Sequence, residues 1–252
     1  MLEGKRGLVV GIANEHSIAA GCARAFAREG AELAVTYLND KAKPYVEPVA
    51  AGLNAALFMP LDVTSDTQMD AVFEAIAAKW GRLDFLLHAV AYCPKEDLQG
   101  GVVECSREGF GVAMDISVHS FIGLARRARP LMKDGGCLLT VSYYGAEKVV
   151  DHYNVMGPVK AALESTVRYM AAELGPEGIR VNAMSPGPLM TRAASGIAHF
   201  DALIDEARAR APQHRLVTIE DVGNMAAGLA SDSARNVTGN ISYVDAGYHV
   251  MA

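Results

Sequence analysis

Cysteine is scarce. The four in 252 residues, Cys22, Cys93, Cys105 and Cys137, lie scattered with no C-x-x-C pair among them. That spacing suggests neither a zinc knuckle nor a disulfide framework, and no metal site is expected. Basic charge is short as well, with 23 Lys and Arg against 29 Asp and Glu and a formal net charge of −6. A general nucleic-acid binder needs a basic face, so nucleic acid is not an expected partner. No stretch approaches the roughly 18 unbroken apolar residues of a membrane span. No cationic leader with an apolar run opens the sequence either, so the expectation is a soluble, cytoplasmic protein without a membrane partner. Repeats, low-complexity tracts and linkers are missing too. The length is ample for one sizeable α/β core, and a single domain over 1–252 is expected.

The fingerprint G-x-G-x-x-G of dinucleotide-binding turns is also absent. In its place, a short apolar run from Leu8 to Ile12 suits a buried first strand and leads into the turn G-I-A-N-E-H-S-I-A-A-G, Gly11 to Gly21. Helical periodicity follows through Ile18, Cys22 and Phe26 to Gly30, and Ala31–Tyr37 reads as a second strand. That is the β-α-β opening of a dinucleotide fold. Taken alone, the turn has two readings. It is an ordinary β-turn-α, or the Ser17 hydroxyl and the free amides of a helix N-terminus bind a pyrophosphate.

What is present concentrates between Ser142 and Asn182. The segment opens S-Y-Y-G-A-E-K-V-V-D-H-Y-N-V-M-G-P-V-K, holding Tyr143, Tyr153 and Lys160. Tyr153 and Lys160 stand seven positions apart, which on a helix nearly closes two turns and puts both on one face. An ammonium there could bind a polyol and lower the phenol pKa. The alternative is a tyrosine and a lysine on a half-exposed helix. Downstream, Leu163, Val167, Met170 and Leu174 form an apolar stripe. Gly175, Pro176 and Gly178 end that helix, Ile179–Met184 reads as a strand, and Pro186-Gly187-Pro188 breaks the chain after it.

These residues resemble the short-chain dehydrogenase/reductase superfamily, in which an active-site Tyr and Lys open a helix followed by E-L-x-x-x-G-I-R-V-N and a Pro-Gly turn. Tyr144 and Lys148 also satisfy the superfamily's common Y-x-x-x-K spacing. Lys160, however, stands at the superfamily's distance before Asn182, and Lys148 lies too far upstream. The Y-x6-K pair Tyr153/Lys160, together with G-x5-S-I-A-x-G, resembles the divergent branch, the enoyl-[acyl-carrier-protein] reductases. The likeness covers nearly the whole chain. It implies a doubly wound parallel sheet of Rossmann type with helices on both faces.

The resemblance also implies NADH-dependent reduction of the C2=C3 double bond of a trans-2-enoyl thioester in fatty acid biosynthesis. It assigns Tyr153, Lys160 and Tyr143 as catalytic, with Tyr143, Tyr153 and Cys93 at the substrate. It places Gly11, Ser17, Ile18, Leu38, Asp62, Val63, Ala89, Ala91, Ile116, Lys160 and Leu189 at the cofactor. Asp62 has a second reading, as the cap of the helix that follows. His88, at a strand end, is expected to be a buried hydrogen-bonded residue rather than an acid or base. Phe110 to Pro130 is expected to form one helix, and Thr218 to cap another. After Tyr37 no arginine meets a 2′-phosphate and Asp40 disfavours one, so NADH is expected over NADPH, with Lys41 and Lys43 nearby.

A segment near 189–215 is expected to cover the substrate. There the sequence departs from the family. The helix thought to meet acyl-carrier protein carries Asp201, Asp205 and Glu206 instead of basic residues, with Arg208 and Arg210 later. The acyl carrier, protein or CoA, therefore stays open. So do two other classes: a short-chain reductase of a ketone or alcohol, and a non-catalytic NAD-binding protein. Superfamily habit and the sparsely charged tail from Tyr243 to Met251 imply a homotetramer.

Overall fold

The computed structural model describes residues 1–189 and 200–251, with the side chains of 200–203 outside that description. Seven strands, β1 (Arg6–Val10), β2 (Glu32–Tyr37), β3 (Leu57–Pro60), β4 (Phe85–His88), β5 (Gly136–Val141), β6 (Ile179–Pro186) and β7 (Ile241–Val244), form one sheet in the order β3-β2-β1-β4-β5-β6-β7. Every pairing is parallel. A parallel sheet is covered on both faces, which is why its inner strands read as unbroken apolar runs. Alternate residues serve opposite cores. Leu8, Val10, Leu86, Leu138 and Val181 face one side, and Val9, Phe85, Leu87, Leu139 and Met184 the other.

The first face is covered by α3 (Asp66–Trp80), α5 (Arg107–Met114), α6 (Ser120–Ala128) and α7 (Met156–Leu174). The second is covered by α1 (Ile18–Arg28), α2 (Lys43–Gly52) and α9 (Ile219–Ala230). The short α4 (Lys95–Gln99) follows β4, and α8 (Phe200–Arg210) precedes α9. Helices α1 and α9 touch backbone to backbone. A Cβ on Gly21 would meet the Ile219 carbonyl oxygen at 2.3 Å, so that glycine serves helix packing.

Several local expectations change. The helix expected from Phe110 to Pro130 is α5 and α6 joined by a π-helical turn at Asp115–His119. Tyr153 does not lie on α7, which begins only at Met156; His152 and Asn154 around it have positive φ of 63° and 46°. Helical spacing is therefore not what relates Tyr153 to Lys160. Asp62 does not cap α3. Ser65 does, accepting from the Gln68 amide, while the Asp62 carboxylate accepts from the Thr64 amide and hydroxyl. Thr218 caps α9 in a reciprocal box with Asp221, as its position suggested.

Candidate active site

The strand order reverses direction between β1 and β4, and ligands of open α/β sheets bind outside the carboxyl ends of the strands at such a switch point. The expected cofactor residues follow those ends. Gly11, Ser17 and Ile18 follow β1, Leu38 follows β2, Asp62 and Val63 follow β3, Ala89 and Ala91 follow β4, and Leu189 follows β6. Gly11 has φ +112°, and a Cβ on it would lie 2.2 Å from the Ala89 carbonyl oxygen. Backbone thus approaches backbone across the switch point, as a dinucleotide site requires. Ser17 caps α1, accepting from the Ala20 amide and donating to the Asn14 carbonyl oxygen at 2.7 Å. The α1 N-terminus faces the same edge and favours negative charge. These features fit a dinucleotide.

The candidate side chains enter from the end of β5, from the turn before α7 and from α7 itself. Tyr143 follows β5, and its ring meets Tyr153 edge-on at 4.9 Å between centroids. The Tyr143 hydroxyl is buried without a hydrogen-bond partner among the described residues. Leaving such a group unpaired costs about 1–3 kcal/mol, which an accepting ligand oxygen would relieve. Burial raises both phenol pKa values, and the Tyr143 ring adds to the shift of Tyr153. The spacing argument expected the opposite for Tyr153, a phenol acidified by lysine. Instead burial keeps Tyr153 a neutral hydroxyl. Cys93, in the loop after β4, is buried in the same apolar cluster as Tyr153, and burial pushes its thiol up to about 11.

Lys160 is 5% exposed and its ammonium donates to the Val141 carbonyl oxygen at 2.6 Å, leaving two donors without a partner among the described residues. Burial pushes its pKa down to about 8, with Glu164, one turn along α7, acting in the other direction. Glu164 was not anticipated. It accepts from the Ser142 hydroxyl at 2.5 Å, and burial raises its pKa. Its signal in the sequence is its position four residues after Lys160. Asn154 was missed as well. Its side-chain amide donates to the Leu98 carbonyl oxygen at 2.8 Å and ties the Tyr153 turn to α4.

The competing pair separates. Lys148 is exposed, and the Tyr144 ring packs edge-on against Tyr143 and Tyr248. His88 is fully buried, its ring nitrogens bonded to Thr140 and Ser120, and burial pushes its pKa down to about 3. It is neutral and in no position to titrate near neutrality. Ile116 sits in the π turn.

The family model described as "Enoyl-(Acyl carrier protein) reductase" matches residues 11–249. The chain belongs to that family. Among its curated members, enoyl-[acyl-carrier-protein] reductase [NADH] 1 of Rhizobium meliloti is 50% identical, over 100% of this chain and 92% of the relative. The Anaplasma phagocytophilum enoyl-(acyl-carrier-protein) reductase, solved in complex with NAD, superposes with a TM-score of 0.96 at 47% identity, covering 100% of this chain and 96% of that one. The Bacillus cereus enoyl-acyl carrier protein reductase, solved with NADP+ and an indole naphthyridinone, gives a TM-score of 0.97 at 43% identity, covering 100% and 98%. Family membership therefore extends over the whole sheet and both layers of helices.

Beyond β6 the expected turn from Leu189 to Gly196 lies, except for Leu189, outside the described residues, as does the side chain of Asp201. On the described part of α8, Arg208 pairs with Asp205 at 3.4 Å and Arg210 with Glu206 at 2.6 Å. Asp205 and Glu206 are thus partly neutralised by arginines of their own helix.

Proposed function

We propose that this enoyl-acyl-carrier-protein reductase family member reduces the C2=C3 bond of a trans-2-enoyl thioester with NADH, in fatty acid biosynthesis. The observation that carries the reading is the unpaired, buried Tyr143 hydroxyl beside Tyr153, behind a dinucleotide-shaped switch point, in a chain 50% identical to an NADH-dependent relative. When bound, NADH would supply the hydride that the β-carbon of the substrate takes up. Negative charge then moves to the thioester oxygen as an enolate, and the α-carbon is protonated. Tyr153, neutral and desolvated, donates a hydrogen bond to that oxygen, the atom whose charge grows most in the transition state. Tyr143 lies against it and shapes the oxygen's pocket. Lys160, anchored on Val141, turns its free donors to the ribose hydroxyls. Gly11, Ser17, Ile18, Leu38, Asp62, Val63, Ala89, Ala91, Ile116 and Leu189 hold the rest of the cofactor. Cys93 lies along the acyl chain; the expected covering segment near 189–215 lies in part outside the described residues.

Asp40 and the lack of arginine after Tyr37 support NADH over NADPH; Lys43 is drawn over the Tyr37 ring, 5.8 Å from its centroid. The protein works in the cytoplasm as a homotetramer. Among the described residues no helix is long and apolar enough to cross a membrane, and Tyr169, Val250 and Met251 expose apolar surface of the kind a subunit contact covers. Light scattering at micromolar concentration tests the assembly, and a monomer refutes it. Self-paired acids on α8 steer an acidic carrier protein weakly, so turnover of carrier-bound substrate falls little as salt rises. The deciding experiment supplies NADH with crotonyl-CoA or with a β-ketoacyl thioester and follows loss of nicotinamide absorbance. Turnover of crotonyl-CoA alone supports the reading. Turnover of the ketone alone makes this a carbonyl reductase, and cofactor binding without turnover of either makes it a binding protein.

A further inference from the structure

Three buried hydroxyl and imidazole groups lie outside the reacting pair yet connect three elements of the site. The Ser120 hydroxyl donates to the Ile116 carbonyl oxygen at 2.7 Å. Its single proton is thereby spent, so towards His88 Nε2, at 2.9 Å, it accepts. His88 therefore carries its proton on Nε2. Burial keeps the ring neutral, and the nearby Lys160 charge pushes in the same direction. Nδ1 is then an acceptor, and the Thr140 hydroxyl, 2.8 Å away, donates to it. The bonds run one way, from Thr140 on β5 through His88 at the end of β4 to Ser120 and the Ile116 carbonyl. All three side chains are at most 2% exposed, so water does not compete.

The backbone explains why Ser120 is needed. Its amide bonds back to the Asp115 carbonyl oxygen, five residues away, and not to Ile116 as an α-helix would have it. The hydroxyl takes the carbonyl that the amide has passed over. A second serine of the same turn, Ser117, fully buried, accepts from the Tyr92 amide at 3.1 Å and donates to the Tyr92 carbonyl oxygen at 3.3 Å. The π turn is thus fastened both to the strand ends and to the loop that carries Ala89, Ala91 and Cys93.

We propose that Thr140, His88 and Ser120 act as positioning residues: their hydrogen-bond chain sets the π turn at Asp115–His119 and so places Ile116 and the Ala89–Cys93 loop against the nicotinamide end of the cofactor. The proposal rests on the assignment of Ile116 made above, but one of its readouts does not. The variants are Ser120→Ala and Thr140→Val, which each delete one hydroxyl. Thr140→Ser is the conservative rescue. Val167→Ala, in the α7 core away from the chain, is the stability control.

Amide hydrogen exchange of residues 115–120 is measured without cofactor, and NADH affinity by nicotinamide fluorescence. Ser120→Ala and Thr140→Val are expected to speed exchange in the turn and to raise the NADH dissociation constant about tenfold each, the size of one lost buried hydrogen bond. Thr140→Ser and Val167→Ala lose stability yet bind NADH within about twofold of the parent, on the same scale. If exchange quickens but NADH affinity holds, the chain braces a turn that does not meet the cofactor; the proposal and the Ile116 assignment both fall. If exchange in the turn is unchanged, the chain does not set it, and the proposal falls while Ile116 keeps its role. Should Ser120→Ala not fold, Thr140→Val, which leaves the Ser120–Ile116 bond in place, decides by the same two measurements.

Discussion

Replacing Lys160 by methionine should stabilise the protein without cofactor while abolishing cofactor binding. The side chain is 5% exposed, and burial lowers its pKa from 10.5 to about 8. At about 1.4 kcal/mol per tenfold change in proton affinity, keeping that ammonium charged near pH 7 withholds roughly 3 kcal/mol of folding free energy. Methionine fills similar volume without charge, but it removes the donor from the Val141 carbonyl oxygen, a loss of about 1 kcal/mol. The net gain is about 2 kcal/mol, or roughly 4–8 °C in Tm for a chain of this length. The sign with pH follows from linkage. Above the folded pKa of about 8 the native lysine releases its proton while the unfolded chain keeps one up to 10.5. The parent therefore gains stability as pH rises across that window, and its gap to the variant closes. Saturating NADH reverses the order, because ligand at about 100 times its Kd adds roughly 2.7 kcal/mol to the parent alone. Urea or thermal unfolding at neutral and alkaline pH, with and without NADH, reads all of this. A variant less stable than the parent at neutral pH without cofactor would refute the reasoning, since the ammonium would then be well compensated by Glu164.

Tyr153→Phe should leave the NADH dissociation constant unchanged and lower kcat by about a hundredfold, because the hydroxyl acts on charge that exists only in the transition state. A weakened cofactor complex would move that hydroxyl to the ribose. Asp40→Arg should narrow or invert the preference for NADH over NADPH in parallel fluorescence titrations; an unchanged ratio would place the discriminating residue elsewhere, with Lys41 next to test. Thr218→Val removes the reciprocal cap of α9 and should cost about 1 kcal/mol in urea unfolding with cofactor affinity intact.

Much of this was legible along the chain, because the signals are local. Two-sided apolar strands announce a parallel sheet, the pause at Gly11 announces a tight turn, and Thr218 with Asp221 three residues on announces a cap. The choice of Lys160 over Lys148 drew on the superfamily's lysine-to-asparagine distance, and in the fold Lys160 is buried while Lys148 is exposed. Resemblance to the family added the chemistry that local pattern lacks.

Where the chain alone misled, folding had joined distant pieces or bent near ones. Tyr153 was placed on a helix by its spacing, yet it stands before α7 in a turn of two left-handed residues, and its ring is set by Tyr143. Its pKa rises where lysine was expected to lower it, since desolvation depends on everything packed around the phenol and not on one neighbour. The π turn is invisible in periodicity because one extra residue in one turn barely alters an apolar stripe. It exists only once Ser120 meets His88 from another strand. By itself the sequence determined the alternation of elements and their apolar faces, since propensity and hydrophobic period act over a few residues. The tertiary structure decided which hydroxyls lose water, which protons are shared and which lysine carries a costly charge, because those energies arise only when segments far apart in the chain exclude solvent together.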